Sequence, residues 1–284
     1  MSAIESPTPQ QEPEKLFSYF SRENEQLYKD ILFGHAKQIN DHDYACILGD
    51  DKSSRIPALV LGRAINTIYK SRHEPAAPVL FVDPAHYTAT MLKTDSQQTE
   101  KFNNQFRELT KSHGVETGTK VLLVTDFVRT GNTIRSFENL CREAGLNVEI
   151  VQNSKWHETS SASLVDNPDE QSLHALPKYI HIDDEEDAAQ QIKRFEESGT
   201  SFLLLLKVAK HTGIVTREIA ESFSREGERE IFFKFIREKL SLDEQKHLFT
   251  SVREAQLAHR KQLGAFAEKL AKYFVENQPG TASP

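Results

Sequence analysis

Cysteine is all but missing from this chain of 284 residues; only Cys46 and Cys141 occur. Two thiols in apolar-patterned segments cannot staple a small secreted fold, and they do not make a metal-ligand set. Both read as reduced core residues of a cytoplasmic protein. Long apolar runs are missing too: no window approaches the ~18 consecutive apolar residues that a membrane span requires. Basic charge is in deficit, with 35 Lys and Arg against 42 Asp and Glu and a net charge of −7. That balance argues against a nucleic-acid-binding face, which is normally basic. Residues 1–14 hold three prolines and no apolar stretch, so they read as a disordered lead-in and not as a secretory signal.

Several chemical signatures are also wanting. The G-x-G-x-x-G spacing, a Walker-type loop, a nucleophile elbow and a Ser-His-Asp pattern do not occur. Eleven histidines are present, yet none pairs with another His or Cys at ligand intervals. His174 and His181, with Asp183 and Asp184, come nearest, and a solvated loop leading into a helix explains them more simply. The acidic run Asp183–Asp187 suits a helix N-terminus.

What is present is an alternation of strand-like and helix-like segments. Residues 15–40 read as helical, with Leu16, Phe17, Phe20, Leu27, Ile31 and Leu32 at three-to-four spacing. Tyr44–Leu48 is a short apolar run ending at Gly49, and Val79–Val82 is another. Between them Pro57 marks a helix entry, followed by Leu59, Leu61, Ala64, Ile65 and Ile68 on one side. A polar stretch, 85–118, carries a helix around Phe102 to Lys111. Lys120–Val124 is a third strand. The next helix has Ile134, Phe137, Leu140 and Cys141 as its stripe and Gly145 as its stop. Leu146, Val148 and Ile150 alternate with polar residues as a fourth strand. This order predicts an α/β fold: a mainly parallel sheet with helices on both faces. Phe202–Val208 reads as one further strand. The expected organisation is a lead-in over 1–14, a helical segment over 15–40, an α/β domain over 41–208 and a helical region over 209–284.

The segment 120–134 carries the chemistry. An apolar strand ends beside an acidic residue, and Thr130-Gly131-Asn132-Thr133 opens directly into a helix. In an open α/β sheet, ligands collect beyond the carboxyl ends of the strands. A helix N-terminus there offers unpaired N–H groups and the positive end of its dipole. Gly131 permits close backbone approach, the hydroxyls of Thr130 and Thr133 add donors, and Asp126 suits ribose hydroxyls. The alternative is an ordinary turn in which the two threonines cap the helix.

Strand, acid, Thr-Gly-x-Thr and helix in this order resemble the type I phosphoribosyltransferases. The resemblance covers roughly residues 41–152 and extends to about 208. It implies that Thr130, Gly131, Asn132 and Thr133 hold the 5′-phosphate of phosphoribosyl pyrophosphate or of a nucleotide. It also implies that Asp126 holds the ribose hydroxyls and Mg²⁺, the expected cofactor. Lys52, Ser53, Ser54 and Arg55 fall where the family binds pyrophosphate, and 85–118 falls where it has a flexible lid. Two positions depart from the pattern. Thr125 stands where the family has its first acidic residue, and Arg129 takes the last variable position, where it either grips a phosphate or faces solvent. Two functions follow. One is transfer of the phosphoribosyl group to a nitrogenous acceptor with release of pyrophosphate, with Asp126, Thr125 and Arg129 at the reacting centre. The other is a silent nucleotide- or phosphoribosyl-binding regulator of the same fold.

Beyond residue 208, Leu248 and Val252 followed by Leu263, Phe266, Leu270 and Tyr273 mark a long amphipathic helix. It reads as a cover for the sheet or as a dimer-forming element that would make the protein a homodimer. Residues 212–226 resemble half of a helix-turn-helix, without the basic charge that DNA binding needs.

Overall fold

Apolar runs that are nearly continuous, and not alternating, belong to parallel strands buried on both faces. The computed structural model bears this out for Tyr44–Asp50 (β1), Val79–Val82 (β2) and Lys120–Thr125 (β3), whereas the alternating Asn147–Gln152 (β4) is an edge strand. Residues 22–50, 55–82, 96–125, 132–152, 172–173, 190–193, 202–216, 218–219, 223 and 229–278 are described. A short strand, Ser172–Leu173 (β5), joins the sheet, whose order is β4-β3-β1-β2-β5. Every pairing in it is parallel. The helices are Arg22–Gly34 (α1), Ala36–Asn40 (α2), Arg55–Ser71 (α3), Ser96–Ser112 (α4) and Asn132–Glu143 (α5). Phe202–His211 (α6), Arg229–Lys239 (α7) and Leu242–Glu276 (α8) follow.

Side chains alternate across the strands, and the two sets build two cores. Ile47, Phe81, Leu122, Val124 and Val151 face α1, α3 and the C-terminal half of α8. Cys46, Leu48, Leu80, Val82, Val121 and Leu123 face Phe102 and Phe106 of α4 and Phe137, Leu140 and Cys141 of α5. Helices therefore cover both faces, as expected. α3 is buried at nearly every position from Arg55 to Ile65, because it is sandwiched between the sheet and α8. At the far end of α5, Gly145 adopts φ +73. The N–H of Gly145 bonds to Arg142 O and that of Leu146 to Cys141 O, a Schellman ending that L-residues with a Cβ resist.

At the amino edge a part-buried polar network ties the helical segment to the sheet. Tyr44 donates to Glu149 at 2.9 Å and lies 2.7 Å from His35 Nδ1, while Gln38 Nε2 donates to the other Glu149 oxygen. Burial, the bond to Glu149 and the charge of that carboxylate push the Tyr44 phenol well above its usual pKa.

A third core is wholly helical. Ile192, Leu205 and Val208 of the α6 region, Phe232, Phe233 and Ile236 of α7, and Leu248, Phe249 and Val252 of α8 pack together. The run Phe202–Val208, expected as a strand, is thus helix α6. Its first five positions are all apolar and show no period, and its four leucines are strong helix formers. The α/β layer ends at β5, which the sequence reading did not anticipate. α8 begins with a capping box in which Ser241 N donates to Glu244 and Ser241 Oγ accepts from Glu244 N. The lead-in 1–14, His174, His181 and the run 183–187 lie outside the described residues, as do most of 212–226. No helix among the described residues is long and apolar enough to cross a membrane.

Two measurements test this packing. A Cβ added at Gly49 would meet Phe81 Cε1 at 2.7 Å and the Ala58 Cβ at 2.8 Å. Gly49→Ala should therefore destabilise the fold by about 1–3 kcal/mol, read from denaturant midpoints. His259 on α8 is fully buried, and burial depresses its pKa from 6.5 to about 4. Unfolding below pH 6.5 then takes up a proton that the folded state refuses. Stability is intact above 6.5 and declines as the pH falls toward 4. Lowering the pH from 7 to 5 should cost about 2 kcal/mol through this group, and His259→Gln should remove that part of the slope.

Candidate functional site

The strand order fixes where a ligand site belongs. From β1 the chain passes through α3 to β2 on one side, and from β3 it passes through α5 to β4 on the other. β1 and β3 are neighbours, with Leu48 opposite Leu123 and Gly49 opposite Val124. Their onward connections part at this point, which opens a crevice beyond their carboxyl ends. The N-termini of α3 and α5 lie at the same edge, so both positive dipole ends flank the crevice.

Asp50 ends β1 and Thr125 ends β3, one residue past the Gly49–Val124 pair. Thr125 is fully buried, and its Oγ1 has no hydrogen-bond partner. An orphaned buried hydroxyl carries a desolvation cost of about 1–3 kcal/mol and calls for an explanation in function or structure. Arg55, the first residue of α3, is 2% exposed, and its guanidinium lies 4.6 Å from the centre of the Phe81 ring. The structure thus brings Thr125 and Arg55 to one edge of the sheet and seats Arg55 on an aromatic face beneath the surface. Asn132 and Thr133 begin α5. Lys52, Ser53, Ser54, Asp126, Arg129, Thr130 and Gly131 lie outside the described residues.

α8 contributes something that composition did not suggest. Gly264 lies beside Arg63 of α3, Lys269 pairs with Glu25 of α1, and Gln278 bonds to Asn40, which also holds Arg72. α8 therefore runs alongside α3 in the same direction, down toward the amino edge. Between Leu248 and Gly264 lie about 24 Å of helix axis, whereas α3 extends only about 12 Å above Arg63. The helical core of α6, α7 and the first half of α8 consequently stands beyond the α3 N-terminus, on the carboxyl side of the sheet. Between the two apolar halves of α8 runs a polar belt that includes buried Gln256 and His259. The sequence did hold a sign of it, since the apolar pattern of α8 lapses between Val252 and Leu263.

Mg²⁺ takes hard oxygen donors and commonly keeps one or two protein ligands beside substrate phosphates. The orphaned Thr125 Oγ1, with Asp126 next in sequence, is a donor set of that kind. Among the described residues no group of three His, Cys, Asp or Glu could hold a metal alone. Comparison with known proteins finds no family model, no curated protein and no solved structure that matches the chain.

Thr125 separates stability from ligand binding. Thr125→Val keeps the shape and removes the orphaned hydroxyl, so the free protein should gain about 1 kcal/mol. If the hydroxyl serves a ligand, affinity for that ligand should fall in the same variant. Thermal melts and calorimetry on one preparation give both numbers.

Proposed function

We propose that the chain is a phosphoribosyltransferase-like protein whose loop 126–133 binds the 5′-phosphate of phosphoribosyl pyrophosphate or a nucleoside monophosphate. The observation that carries this reading is a coincidence of motif and topology. The only strand-acid-Thr-Gly-x-Thr-helix segment of the sequence leaves β3 at the β1/β3 switch point. Doubly wound sheets use that position for phosphate-bearing ligands. Lys52, Ser53, Ser54 and Arg55 follow β1 in the sequence, and the resemblance assigns pyrophosphate to them.

In the transfer reaction a nitrogen of the acceptor attacks the anomeric carbon. The bond to pyrophosphate breaks with its electron pair on the leaving oxygen, and the acceptor nitrogen loses its proton to solvent. Mg²⁺, when bound, neutralises the departing pyrophosphate. Asp126 orients the ribose hydroxyls, Thr130, Gly131 and Thr133 anchor the 5′-phosphate, and Arg129 is offered to the reacting phosphates. Uniform grip on the phosphate lowers KM, and the contacts of Asp126 and Arg129 to the reacting centre raise kcat.

One observation favours the second reading, a silent binding protein. Thr125 occupies the family's first acidic position, and its side chain is fully buried, which leaves Asp126 as the single carboxylate of the pair.

Pyrophosphate release from phosphoribosyl pyrophosphate with Mg²⁺, over a panel of purine, pyrimidine and orotate-like acceptors, decides between the two. For a transferase, Asp126→Asn should lower kcat by about 10²–10³, in line with loss of a key transition-state contact. Gly131→Val should abolish phosphoribosyl binding without unfolding the protein. No turnover with retained binding leaves the regulator. Binding unchanged by Gly131→Val removes both.

A further inference from the structure

We draw no further inference here: the strongest candidate, the buried hydroxyl of Thr125 at the carboxyl end of β3, whose Oγ1 has no hydrogen-bond partner, belongs to the site already described.

Discussion

Everything in the fold is referred to β1. It is hydrogen-bonded on both sides, to β2 and β3, and pressed on both faces, so no position from Cys46 to Leu48 has access to water. That double confinement demands apolar side chains of restricted size, and at Gly49 it tolerates none, because Phe81 and Ala58 already fill the space. The close approach of α3 to the sheet follows, and with it the seat of Arg55 on Phe81.

α8 belongs to two cores at once. Its first half completes the helical cluster with α6 and α7, and its second half covers α3 and α1. The polar belt falls between, where neither core reaches. A single helix shared in this way couples two hydrophobic units without a large apolar interface between them. The polar groups at the junction are consistent with the general habit of binding sites to lie where packed units meet.

The sheet was legible because β1, β2 and β3 are short apolar runs bounded by turn residues. β2 begins and ends where the pattern placed it, and Gly145 stops α5 as its sequence suggested. Phe202–Val208 was not legible, because the unbroken apolar run Phe202–Leu206 shows no periodicity. The candidate site was half legible. The Thr-Gly-x-Thr loop can be read from residues alone, but the switch point beside it depends on which strand neighbours which, and no local pattern encodes that. Burial of Arg55 and Thr125 depends on the same non-local fact.

The two thiols have a use that their inertness creates. Cys46 on β1 and Cys141 on α5 lie in the same core, fully buried, and burial pushes both pKa values up, that of Cys141 to about 12. Thiolate is the reactive form, so neither sulfur competes with a cysteine engineered onto the surface, and the natural chain is a ready background for site-specific labelling. Conversely, in the unaltered protein a thiol reagent gains access only when the α4–α5 side of the sheet opens. Its rate of uptake clocks the opening of that layer alone, without a label and without a change in sequence.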